Sequence, residues 1–198
     1  MTSRITVLDF GMGNLRSVAK ALERAGAEVD VSTVVDAGAD GLVVPGQGAF
    51  GSCIANLGEQ LQSVREWIGD GRPYLGICLG LQVLFDSSEE SREPGAGIFD
   101  GPVRRLPGGM KIPHIGWNEV FAREKATLFE GIDPGTRFYF VHSFYPDPID
   151  VEIVAATTDY GLEFCCAAER ENVFATQFHP EKSGEDGHKL LGNFLAAI

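Results

Sequence analysis

The chain has 198 residues, 44% hydrophobic and 22% charged, a composition that leaves room for a sizeable core and excludes a largely disordered protein. Sixteen basic against 28 acidic residues give a net charge of −12, and the basic residues do not cluster, which argues against nucleic acid and membrane as partners. The cysteines, Cys53, Cys78, Cys165 and Cys166, have no C-x-x-C spacing, so neither a disulfide framework nor a zinc site is expected.

With no basic leader and no long apolar stretch, the expected setting is cytoplasmic and reducing, and residues 1–198 are expected to form one domain. In chain order, Ile5 to Leu8 reads as a buried strand, Asp9 to Gly13 as a loop and Asn14 as a helix N-cap. Leu15, Val18, Ala19 and Leu22 follow at helical spacing, with Gly26 closing the helix. Val29 and Val31 mark a second strand, and Leu42 to Val44 a third that runs into Pro45-Gly46. Leu57, Leu61, Val64 and Ile68 predict one long second helix, ended by Gly71. Pro73 to Ile77 is a fourth strand, and Leu79 to Phe85 starts another helix. Strand and helix alternating in this way predict an α/β fold with an open, mostly parallel sheet and helices on both faces.

Beyond Ser87 the pattern changes. Gly and Pro punctuate Pro94 to Pro113, and strand-like runs follow at Arg137–Val141, Val151–Thr157, Glu163–Ala168 and Val173–Phe178. These predict antiparallel strands added to the edge or face of the sheet, making it mixed. Ser183 and Asp186 have the spacing of a capping box for a last helix, whose apolar face is Leu190, Leu191, Phe194 and Leu195.

Ligands of open α/β sheets bind where strands stop, so the strand ends carry the chemistry. Gly76-Ile77-Cys78-Leu79-Gly80 has the G-x-nucleophile-x-G spacing of an elbow between strand and helix. The glycines permit a strained turn, the helix start favours a thiolate, and the Leu79 amide points toward a developing oxyanion. On these residues alone Cys78 is either that nucleophile or an inert packed thiol. Gln177-Phe178-His179-Pro180-Glu181 delivers a histidine to a strand end, with a carboxylate two residues on to fix its tautomer. His142 also ends a strand but has no carboxylate nearer downstream than Asp147, which makes it the weaker base; His114, in a Pro/Gly-rich loop, and His188, on the last helix, suit the role less.

Gly46-Gln47-Gly48-Ala49-Phe50-Gly51 satisfies G-x-G-x-x-G, but the next strand ends in Cys78 where a dinucleotide site needs an acidic residue. Backbone N–H groups offered to an oxyanion are the better reading. Asp9 to Asn14 lacks the third glycine, since Arg16 stands there, and reads as a tight turn with a helix cap. With no Walker loop or metal-ligand cluster, no cofactor and no metal are expected.

Gly76-Ile-Cys-Leu-Gly-Leu-Gln82 together with His179-Pro-Glu181 resembles the class I, triad-type glutamine amidotransferases, which have a flavodoxin-like fold. Leu8-Asp-Phe-Gly-Met-Gly-Asn14, Pro45-Gly-Gln-Gly-Ala-Phe50, Pro113-His-Ile-Gly-Trp-Asn118 and Tyr139-Phe-Val-His-Ser-Phe-Tyr145 look like the glutaminase subunits of imidazole glycerol phosphate synthases, in histidine biosynthesis. The resemblance runs from Leu8 to Glu181; Phe10 and Phe144 stand where tyrosine is equally expected.

It implies hydrolysis of L-glutamine to glutamate and ammonia through a thioester on Cys78, with His179 as proton carrier and Glu181 as its orienter. It also implies oxyanion contacts at Gly46, Gln47 and Leu79, and glutamine contacts at Gly48, Gln82, Glu90, Ser143 and Phe144. The implied partner is a (β/α)8-barrel cyclase subunit that receives the ammonia, with Asn14, Trp117, Asn118 and Tyr139 as candidates for its docking surface. A peptide near Gly46-Gln47 that reorients when the partner binds is a further expectation. The rival readings are the glutaminase of anthranilate, guanylate or pyridoxal phosphate synthesis, another elbow-cysteine hydrolase, and a binding module that has kept the fold.

Overall fold

The structure is a computed structural model that describes residues 2–198. Arg4–Leu8 form β1, and the Asn14 side chain caps α1 (Leu15–Arg24) by accepting from the Ser17 amide at 3.4 Å. Gly26, at φ +106°, turns the chain into β2 (Glu28–Ser32), and β3 (Gly41–Gly46) pairs on the other side of β1.

Two helices follow where one was expected, α2 (Phe50–Leu57) and α3 (Gln60–Gly69). Gly58, at φ +49°, ends the first, so Leu57 belongs to α2 while Leu61, Val64 and Ile68 belong to α3. β4 (Tyr74–Cys78) is then followed by a single helical turn, α4 (Leu79–Gln82), and not by a helix reaching Phe85. The carbonyl of Val83 accepts from Ala96, and that of Leu84 from Ile98 and Phe99, which draws the chain away from helical pairing.

Phe85–Ser88 (β5) and Phe99–Arg105 (β6) come next, then β7 (His114–Ala122) and β8 (Thr136–His142). His114 opens β7 and does not lie in a loop. Phe144–Pro146 (β9) joins β5 and β6 in a small three-stranded sheet. The run from Val151 divides into a 3-10 turn (Val151–Ile153) and β10 (Val154–Asp159), and β11 (Glu163–Arg170), β12 (Val173–Thr176) and α5 (Gly184–Ala196) complete the chain.

The large sheet has nine strands in the order β2-β1-β3-β4-β12-β11-β10-β7-β8. Its first five are parallel neighbours and the pairings beyond β12 are antiparallel, so the sheet is mixed with a parallel block on one side. Alternation along the strands builds two cores. Ile5, Val7, Val43, Leu75 and Ile77 pack with Val18 and Leu22 of α1 and Leu190, Leu191 and Phe194 of α5. Leu8, Leu42, Val44 and Tyr74 face the other way, against Phe50, Leu57, Val64, Trp67 and Ile68 of α2 and α3.

Helices thus cover both faces, and β12, made near the end of the chain, lies beside β4. That adjacency carries the segment after β12 to the edge where Cys78 ends β4. Among the described residues no helix is long and apolar enough to cross a membrane.

Candidate active site

Cys78 adopts φ +57°, a left-handed conformation that costs a non-glycine residue about 1–3 kcal/mol and persists only where the surroundings impose it. Those surroundings are backbone. A Cβ on Gly76 would lie 2.3 Å from the Gly80 carbonyl oxygen, and one on Gly80 only 1.8 Å from that of Val44. A Cβ on Gly46 would meet Leu79 Cβ at 2.7 Å, so the end of β3 is pressed against the turn. Register puts Gly46 directly beside Cys78. With only four residues, α4 has little macrodipole, so the helix field expected beneath the thiol reduces to individual amides such as that of Leu79.

On the other flank, Pro180 turns the chain into a 3-10 turn (Pro180–Lys182) that curls Glu181 back onto the histidine. His179 Nδ1 lies 2.8 Å from Glu181 Oε1, with both side chains no more than 2% exposed. Since the carboxylate accepts, Nδ1 carries the hydrogen and Nε2 is left to take or give a proton. Nε2 is buried without a hydrogen bond of sound geometry, which leaves it free to take or give a proton. Burial opposes charge on His179, but its hydrogen-bonding interactions with Cys78 and Glu181 and the attraction of both anions outweigh it and hold the imidazolium up to about 9.

The turn is anchored by Ser183, whose hydroxyl donates to the His179 carbonyl at 2.7 Å and accepts from the Tyr139 amide at 3.0 Å. The capping box expected of Ser183 and Asp186 is therefore absent: the hydroxyl is spent on this tie and α5 starts without a side-chain cap.

Cys78 opens into a cleft of about 340 Å³ lined also by Gln47, Gly48, Leu79, Gln82, Glu90, Tyr139, Ser143, Phe144 and Lys182. Glu90 Oε2 accepts from the Phe50 amide at 2.7 Å, capping α2 from outside. A carboxylate thus occupies the helix start where a nucleotide phosphate would have to sit, which disposes of the dinucleotide reading of Gly46–Gly51. No group of three or more His, Cys, Asp or Glu among the described residues is placed to hold a metal.

A thiol at a strained elbow, an imidazole oriented by a carboxylate, and a cleft beside them form a constellation suited to attack on an acyl carbon. The family model "Glutamine amidotransferase class-I" matches residues 6–198. The chain belongs to the class I glutamine amidotransferases. It is 51% identical to the imidazole glycerol phosphate synthase subunit HisH of Aquifex aeolicus, covering 96% of this chain and 95% of that one. Identity to the HisH subunit of Moorella thermoacetica is 49%, over 96% and 93% of the two chains, and to that of Syntrophotalea carbinolica 48%, over 96% and 98%.

Among solved structures, PurLQS from Thermotoga maritima superposes with a TM-score of 0.80 at 22% identity, over 99% of each chain. The glutaminase domain of Trypanosoma brucei CTPS does so with 0.71 at 20%, over 99% of this chain and 93% of that one; both likenesses bear on the fold alone.

In this amidotransferase His142 is no rival base. Burial pushes it down to about 3, and its Nδ1 donates to the Phe144 carbonyl at 2.9 Å. Its Nε2 must then accept from His114 Nδ1, also at 2.9 Å, and His114, lowered by burial to about 4, is stacked between Phe140 and Tyr160. Trp117 is 55% exposed and meets the Tyr139 ring edge-on at 6.2 Å. Asn118 lies on the opposite face of β7, donating to the Asp159 carbonyl at 2.8 Å.

Met12, in the loop before Asn14, lies where a Cβ on Gly48 would strike it at 2.8 Å, so the first loop of the sheet rests on the glycine loop of the cleft. Two residues were missed from sequence, Lys182 and Gln177. Lys182 follows Glu181 and reads as an ordinary surface charge. Gln177 stands next but one before His179 and signals its place only through the pairing of β12 with β4.

Proposed function

We propose that the chain is the glutaminase subunit of an imidazole glycerol phosphate synthase, one cytoplasmic domain that releases ammonia from L-glutamine for a (β/α)8-barrel cyclase subunit. The observation that carries this reading is the buried His179–Glu181 pair held beside Cys78 at the ends of adjacent strands.

The Cys78 thiolate, its proton taken up by His179, attacks the side-chain amide carbon of glutamine. A C–S bond forms, and the oxyanion is met by amides at Gly46-Gln47 and Leu79. His179 then gives its proton to the departing nitrogen, the C–N bond breaks, and ammonia leaves a γ-glutamyl thioester. A water, deprotonated by the same imidazole, adds to the thioester; the C–S bond breaks and glutamate leaves. Glu181 keeps the tautomer and stabilises the imidazolium throughout.

Gly48, Gln82, Ser143 and Phe144 form the glutamine pocket around Cys78, and Glu90, with one oxygen fixed by the Phe50 amide, offers the other to the substrate's α-ammonium. Trp117, Tyr139 and the loop at Asn14 present the docking surface, with Asn118 bracing β7 from behind. Docking acts on the Gly46-Gln47 peptide through Met12. The experiment is glutamate release by the chain alone, with a cyclase subunit, and with that subunit and its nucleotide ligand. Release that rises at each addition supports the reading. Full-rate hydrolysis by the chain alone removes the gating, and none in the assembled complex removes the function.

A further inference from the structure

The parallel register of β12 with β4 pairs Thr176 with Ile77, so the next residue, Gln177, stands beside Cys78 on the flank opposite Gly46. Gln177 is fully buried, and its Nε2 lies 3.6 Å from Cys78 Sγ. Its Oε1 is 2.9 Å from Gln82 Nε2, which is also 3.0 Å from the Phe144 carbonyl oxygen.

The direction of this relay follows from one atom. A backbone carbonyl can only accept, so Gln82 must turn its NH2 toward Phe144; the second hydrogen of that NH2 then meets Gln177, which must answer with oxygen. Gln177 is thereby left with its NH2 toward the sulfur. His142, donating its Nδ1 hydrogen to the same carbonyl at 2.9 Å, pins the acceptor in place.

We propose that Gln177 is a catalytic residue that donates a hydrogen bond to the Cys78 thiolate, with its polarity set by Gln82 and the Phe144 carbonyl. This rests on the reading of Cys78 as nucleophile. A donor aimed at the sulfur favours the anion formed when the proton passes to His179 and restored when the thioester breaks. Because Gln177 does not line the cleft, it acts on the rate of the thiol step and not on the holding of glutamine.

The test is the pH profile of iodoacetamide reaction at Cys78 in the full chain, followed on the Cys78 peptide by mass spectrometry. Gln177→Met, which fills the space without a donor, moves the midpoint up by about one unit and lowers the rate at every pH below the parent chain's midpoint. Gln177→Glu, which turns an oxygen to the sulfur, lowers it further. In the complex with a cyclase subunit, Gln177→Met lowers kcat about tenfold with KM for glutamine within threefold.

Rates and midpoints within twofold of the parent chain overturn the proposal. Should the variants not fold, the wild-type chain answers: one Gln177 side-chain amide proton shifts in NMR as Cys78 titrates, and a proton that does not move overturns it equally. Cys78→Ala separates the two readings. Glutamine hydrolysis that survives it removes the nucleophile itself, whereas hydrolysis lost there but untouched in Gln177→Met removes only the role of Gln177.

Discussion

The elbow can be tested by adding one methyl group. In Gly80→Ala the new Cβ would fall 1.8 Å from the Val44 carbonyl oxygen, so α4 and β3 must separate by more than about 1 Å in a close-packed interior. Overpacking costs about 1–3 kcal/mol where side chains can yield; here both parties are backbone, which puts the cost at roughly 3 kcal/mol or more. The shift also carries Gly46, on the same strand as Val44, away from Cys78, and a misplacement of about 1 Å can reduce turnover by about 10²-fold.

Gly192→Ala is the control: it lies inside α5 with nothing within 4 Å of its Cβ, so alanine there is neutral or stabilises by about 0.5–1 kcal/mol. Urea unfolding of both variants, with glutamate release in the complex, gives stability and turnover together. A Gly80→Ala chain within 1 kcal/mol of wild type and fully active would refute the claim that backbone contact dictates this turn.

Glu181→Gln is expected to lower kcat roughly 10²–10⁴-fold with a small change in KM, read from steady-state glutamate release. It also changes the pH dependence of folding. The charge on His179 stabilises the fold fully below pH 6.5 and the gain is lost as pH rises through about 9, so the stability lost between pH 6 and 9.5 is smaller in the variant.

The His114–His142 pair works in the opposite sense. Unfolded histidines take protons below pH 6.5 and the folded pair does not until about 4 and 3, so stability falls with pH through that window. His142→Asn should remove about 2–3 kcal/mol of the loss between pH 7 and 4.5, measured by urea unfolding at both values. Glu169 accepts from the Thr127 and Leu128 amides, each at 2.8 Å, and Glu169→Ala orphans both, at a cost of about 2–4 kcal/mol by the same measurement. Finally, Glu90→Ala raises KM for glutamine at least tenfold with kcat changed less, if its free oxygen meets the α-ammonium.

What could be read in the sequence was what neighbouring residues decide. The glycines around Cys78 and the proline after His179 announce an elbow and a strand stop because the constraint is a missing Cβ or a missing N–H. The parallel half of the sheet was legible from its apolar runs. Phe85 was not, because its fate is set by Ala96, Ile98 and Phe99 binding the carbonyls just before it, and helical periodicity over Leu79 to Phe85 says nothing of them.

β7 was lost among Gly116, Asn118 and Pro113, residues that read as loop until β8 pairs with them. Ser183 had the spacing of a cap and serves Tyr139 and His179 instead, a competition that only the tertiary structure reveals. Gln177 illustrates the same limit, since its distance from Cys78 in sequence is closed by strand register alone.

The most direct measurement is acid-quenched trapping of the chain with isotopically labelled glutamine in the presence of a cyclase subunit, followed by mass spectrometry of its cysteine peptides. The account predicts one γ-glutamyl adduct, on Cys78, that accumulates before steady-state glutamate release and is absent, with the release itself, in Cys78→Ala. An adduct on another residue, or undiminished release from Cys78→Ala, would contradict it.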